Sequence, residues 1–141
     1  MSKPAYDVSY YDSMTEKGRY LFKLIARNTE NPFPVIVKYM NSEYRRNMDG
    51  GNPLFLNKTP KQILESVGIA VRNQFDIKGE YDESILAWMA DVYTYLQWYY
   101  NLQSKDIVQK IPPKELYGMY SPLHEASLSN CGEKLKAIYH L

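Results

Sequence analysis

Between Asp82 and Tyr100 the chain reads DESILAWMADVYTYLQWYY, and its large apolar residues recur with the period of a helix. At about 100° per residue, Ile85, Trp88, Met89, Val92, Tyr95, Leu96 and Tyr99 fall on one side. Leu86, Tyr93 and Tyr100 widen that side to about half the circumference, which suits a rod packed between several other helices. Asp82 is the natural N-cap, and Glu83 places negative charge at the positive end of the helix dipole. The remaining face is small and polar (Ala87, Ala90, Asp91, Thr94), with Trp98 standing out on it.

The flanking segments show the same period in shorter pieces. Residues 1–12 read as an arm, with Tyr6, Tyr10 and Tyr11 lying on the body. Ser13 and Glu16 have capping-box spacing, so a first helix is expected from there to about Asn28, with Met14, Leu21, Leu24 and Ile25 inward. Asn31-Pro32 starts a second helix, expected to reach about Arg46, and Asn47 to Lys58 reads as a loop whose Leu54-Phe55-Leu56 tucks inward. Thr59-Pro60-Lys61-Gln62 opens a third helix that Gly68 stops, and Ile69 to Lys78 favours a further helical turn. Beyond the rod, Ser104 is expected to cap a short helix through Ile111, and Pro112-Pro113 opens another to Tyr120. Ser121-Pro122 begins the last helix, which runs to about Tyr139, with Leu128, Cys131, Leu135 and Ile138 inward and Gly132 marking a close helix–helix approach. No clean period of two appears anywhere. The pattern predicts an all-α, compact single-domain bundle of six or seven helices around the central aromatic-rich helix at about residues 82–100.

Composition narrows the class. With 141 residues, 45% hydrophobic and 23% charged, one domain can bury a core without a disulfide or metal staple. One cysteine excludes an internal disulfide, and neither a signal-peptide core nor a membrane-length apolar run is present, so a soluble cytoplasmic protein is expected, with no membrane partner. The net charge of +1 gives no electrostatic warrant for a dedicated nucleic-acid binder. The two halves differ mildly, with 11 basic against 7 acidic residues in 1–72 (net +4) and 6 against 9 in 73–141 (net −3). Fourteen tyrosines are far more than usual for this length. Tyrosine joins a rigid apolar ring to a polar tip, which suits core edges and protein–protein surfaces.

Candidate chemistry is sparse. His124 and Cys131 lie seven residues apart on one helix, about 10 Å along its axis, too far for a nucleophile–base hydrogen bond. CxxC, HxxxH and HExxH are missing, and Asp49-Gly50-Gly51 does not continue into a P-loop. No catalytic residue, cofactor or metal is therefore expected, and an enzyme would need a site assembled from distant positions. The favoured expectation is a protein-interaction module, antitoxin-like or regulatory, that binds its partner through Trp98 and Tyr95 with the basic face of Arg45 and Arg46. The alternative is a DNA-binding regulator: Tyr99 to Ile111 has the outline of a helix-turn-helix, which would present Ser104, Lys105, Gln109 and Lys110.

The stretches NSEYRRNMDGGNPLFLNKTPKQIL, ESILAWMADVYTYLQWYYN and KIPPKELYGMYSPLHEASL together resemble small, uncharacterised all-helical bacterial proteins, some found in toxin–antitoxin or mobile-element neighbourhoods. The resemblance covers the chain from about residue 12 onward. It implies a partner-binding or toxin-neutralising role and assigns no functional residues.

Overall fold

The computed structural model describes residues 3–52, 58–69 and 81–141. Among them lie nine helices and no strand: α1 (Val8–Asn28), α2 (Pro32–Met40), α3 (Glu43–Asp49), α4 (Pro60–Ser66), α5 (Glu83–Tyr99), α6 (Ser104–Lys110), α7 (Pro113–Gly118), α8 (Tyr120–Leu123) and α9 (Leu128–Tyr139). The inward placement of Leu54-Phe55-Leu56 and the extra helical turn over Ile69–Lys78 fall, except for Ile69, outside the described residues.

The central rod is α5, with α1, α6, α7 and α9 all packed on it. Asp82 caps it as its position predicts, accepting from the Ser84 amide at 2.7 Å. Leu86, Met89, Val92, Tyr93 and Leu96 are buried on its apolar side. The side that reads as small and polar is buried too, because α1 lies along it. The two helices run antiparallel, with Tyr11 beside Trp98, Gly18 against Ala90 and Thr94, Arg19 bonded to Asp91 and Arg27 to Glu83. Ala90 and Thr94 are small so that Gly18 can approach. Arg19 and Arg27 of α1, both still partly in solvent, clasp carboxylates of α5.

Several boundaries differ from the sequence reading, each for a local reason. α1 begins at Val8, because Asp7 accepts from both the amide and the hydroxyl of Ser9. That places Ser13 and Glu16 in mid-helix and shortens the arm to residues before Val8. The second helix is two: Ser42 donates back to the Tyr39 carbonyl and caps α3 at the Arg45 amide. The final helix starts afresh at Ser127, which caps at the Asn130 amide, so Ser121 is not its N-cap. Ile138 lies 58% exposed rather than in the core stripe, while Cys131 and Leu135 are buried. No helix among the described residues is long and apolar enough to cross a membrane.

Candidate functional site

The C-terminal end of α5 carries a continuous aromatic cluster. Trp98 stacks on Tyr11 of α1 with ring centroids 4.3 Å apart. Tyr95 stacks on Tyr99 at 5.2 Å and meets Trp98 and Tyr100 edge-on. Such offset and edge-on pairs are the favoured arrangements of ring quadrupoles. Gly132 of α9 closes over Tyr95, and a Cβ there would stand 3.0 Å from the ring. Burial pushes the phenols of Tyr11, Tyr95 and Tyr100 up from their ordinary value, so they are neutral at physiological pH. Tyr99 tops the cluster and is 44% exposed. It opens onto a groove of about 920 Å³ shared with Pro4, Tyr100, Glu133, Lys136 and His140. The Lys136 ammonium sits over the Tyr100 ring, 4.9 Å from its centroid.

The arm docks on this end of the rod. Ala5 donates its amide to the Trp98 carbonyl at 2.8 Å, and the Trp98 indole donates to the Tyr6 carbonyl at 2.7 Å. The Tyr6 hydroxyl donates to Gln97 Oε1 at 2.9 Å. Each of these bonds is worth roughly 1 kcal/mol net, and burying the Tyr6 ring adds about 2 kcal/mol. Ordering residues 4–6 costs roughly 1–2 kcal/mol per residue.

Beneath the arm lies a buried polar network. Gln97 donates to the Asp49 carbonyl at 2.9 Å. The Asp49 carboxylate accepts from Arg45 Nε at 2.9 Å, from the Ser104 hydroxyl at 2.6 Å and from the Ser104 amide at 2.6 Å. Arg45 also donates to Ser104 Oγ at 2.8 Å and to the Tyr39 hydroxyl at 3.2 Å. Burial opposes the charge on Arg45, but Tyr39 and Asp49 beside it hold the guanidinium protonated. Its Nη2 has no hydrogen-bond partner among the described residues.

The expected contact residues are thus divided. Tyr95 and Trp98 come together, with Tyr95 only 8% exposed and Trp98 half-buried and bonded to the chain's own arm. Arg45 does not belong to a basic face: it is 3% exposed and turned inward to Asp49, whereas Arg46 is on the surface. On α6, Ser104 is fully buried in the network and caps nothing, since its hydroxyl is engaged by Asp49 and Arg45. Lys105, Gln109 and Lys110 are exposed, with Lys110 donating to the His140 carbonyl at 3.0 Å. Arg46 and Lys105 share a cleft of about 210 Å³ with Glu43, Asp49 and Gln103.

The titratable residues read from the sequence stay apart. His124 stacks on Tyr120 at 4.1 Å, while Cys131 is 1% exposed with its thiol pushed up by burial. Ser104 offers no reachable hydroxyl. Among the described residues no group of three or more His, Cys, Asp and Glu side chains is placed to hold a metal.

Sequence reasoning lays Tyr6 on the body without naming its partner and gives Asp49 and Gln97 no part, yet these three join the arm to the core. Tyr6 and Gln97 are 91 positions apart, and no local pattern links them. Tyr99 counted as part of the apolar stripe, but the rod ends there and leaves its ring in solvent. Comparisons with protein-family models, curated proteins and solved structures find no match for the chain.

Proposed function

We propose that the chain acts by binding another protein, through the aromatic surface where the C-terminal end of α5, the arm and α9 meet. The observation that carries this reading is the exposed Tyr99 ring, stacked on a buried Tyr95 and facing the groove with Lys136 and His140. A rigid aromatic at the edge of a groove loses little conformational entropy on binding, and tyrosine and tryptophan dominate interface hot spots. Tyr95 and Trp98 act from beneath as the support that fixes the ring, and Arg46, exposed on α3, is the cation that steers a partner. Arg45 has no part in the contact.

A photo-cross-linking phenylalanine analogue at position 99 tests the reading in the native host, with the same analogue at Tyr20, 54% exposed on α1, as control. The expected result is one discrete protein adduct from position 99, insensitive to nuclease and missing from position 20. Tyr99→Ala should weaken capture of the same protein by about 2 kcal/mol, as hot spots do, while the helical signal is unchanged. Adducts that vanish with nuclease, or equal labelling from both positions, would overturn it. An antitoxin-like and a regulatory subunit both work through such a surface, and the cross-linked protein decides between them.

A further inference from the structure

The arm has the contacts of a ligand rather than of scaffold. Its segment at residues 4–6 is non-helical and is held by Ala5 to the Trp98 carbonyl, Trp98 to the Tyr6 carbonyl and Tyr6 to Gln97. Two of these bonds use main-chain groups of the arm, which any residue with an amide hydrogen supplies. The third needs a tyrosine hydroxyl.

The receiving groups are also tied to residues outside the arm. Gln97 is fully buried, and its other terminus is fixed on the Asp49 carbonyl, while Asp49 is held by Arg45 and Ser104. Trp98 is set by its stack on Tyr11. Gly51, at φ +72°, makes room for the incoming residue, since a Cβ there would stand 2.8 Å from the Tyr6 Cβ. The site also adjoins the groove under Tyr99, where Pro4 forms part of the wall. Moving the arm therefore enlarges that groove.

We infer that Gln97, Trp98 and Gly51 form a recognition site for a short tyrosine-bearing segment, filled by the chain's own residues 4–6 when free and by a segment of the partner protein when bound. This rests on the interaction reading above and gives the partner a chemistry: a non-helical stretch with a free amide followed directly by tyrosine. The arm is then a competitor in cis, and its tethering gives it an effective concentration in the roughly millimolar range that a partner segment must exceed.

The test uses the full-length chain carrying Tyr6→Ala, labelled with ¹⁵N and titrated with a synthetic peptide of residues 3–8. Only two tryptophans are present, so the Trp98 indole N–H is one of two resolvable signals. The expected result is a saturable shift of that signal in Tyr6→Ala and an apparent affinity at least about tenfold weaker in the unaltered chain, where the tethered arm competes. The same peptide with phenylalanine for tyrosine should bind several-fold more weakly. Equal responses from both chains, or no response from a folded Tyr6→Ala chain, would overturn the inference. Should circular dichroism show Tyr6→Ala unfolded, Ala5→Pro replaces it, removing one donor and leaving the ring. An unaltered chain that dimerises with rising concentration while the Trp98 signal moves would assign the site to a second copy's arm and overturn the partner-protein form. Peptide binding without a cross-linked protein at position 99 would leave only the docking of the chain's own arm and remove both the interaction reading and the partner segment. A cross-link without peptide binding would keep the interaction reading and remove this site.

Discussion

The Arg45 guanidinium and the Asp49 carboxylate meet at 2.9 Å one helical turn apart, with their side chains 3% and 7% exposed. A pair so excluded from water is held by Coulomb attraction in a medium that screens poorly, and either member alone would be a stranded charge. Asp49→Asn is expected to lower stability by about 3–5 kcal/mol, seen as a lower urea midpoint with an unchanged slope. Replacing both residues, Arg45→Met with Asp49→Leu, should recover part of that loss because no buried charge remains. It should not recover all, since the Ser104 amide loses its acceptor, at about 1–3 kcal/mol. A double variant no more stable than Asp49→Asn would show that the stranded charge is not the cause.

Tyr93 is fully buried and donates to the Ile111 carbonyl at 2.7 Å, just past the end of α6. Tyr93→Phe keeps the ring and orphans that carbonyl. Thermal or urea unfolding should register a loss of about 1–3 kcal/mol. A loss below a few tenths would mean that another group replaces the hydroxyl.

Two helical glycines should respond to alanine with opposite sign. At Gly18 a new Cβ would meet Thr94 Oγ1 at 3.4 Å and Ala90 Cβ at 3.7 Å, which is ordinary contact. Gly18→Ala should therefore stabilise by up to about 1 kcal/mol, from helix propensity. At Gly132 it would meet the Tyr95 ring at 3.0 Å, and that ring is clamped by Tyr99, Trp98 and Tyr100. Overpacking of about 1–3 kcal/mol should outweigh the propensity gain and make Gly132→Ala destabilising. Equal shifts in melting temperature for the two variants would contradict the packing described.

The Arg27–Glu83 pair fixes a pH dependence. Arg27 donates from Nε and Nη2 to the two Glu83 oxygens at 2.9 and 3.0 Å, holding Glu83 below the usual carboxylate range. A carboxylate depressed in the folded state stabilises above its unfolded pKa and loses that contribution as pH falls through the folded value. Both side chains are more than a third exposed, so solvent limits the effect to about 0.2–1 kcal/mol. Glu83→Gln should thus be slightly less stable than the unaltered chain at pH 7, and the difference should close in acid. A gap of constant size across pH would trace to something other than the charge.

Where a few neighbouring residues settle the structure, the sequence is a sound guide. Thr59 and Gln62 form both halves of their capping box, Gly68 takes a φ of +85°, and Asp82 starts α5. Each is a competition among hydrogen bonds within a single turn, so the residue types present decide it. Ser13 and Ser104 carry the same local signal and do not cap. Asp7 opens α1 earlier, and Asp49 of α3 takes the Ser104 hydroxyl instead. A capping serine is one option among several until the tertiary partners arrive.

By itself the sequence determined that the chain is helical, that residues 82–100 form its rod, and that Gly132 lies under a close neighbour, because periodicity and capping are properties of adjacent residues. Tertiary structure alone decided that Arg45 turns inward while Arg46 stays in water, that Tyr99 rather than Tyr95 reaches solvent, and that Trp98 holds the arm. Those outcomes depend on which helix covers which face. That is set by packing among residues as far as 93 positions apart, and no local pattern encodes it.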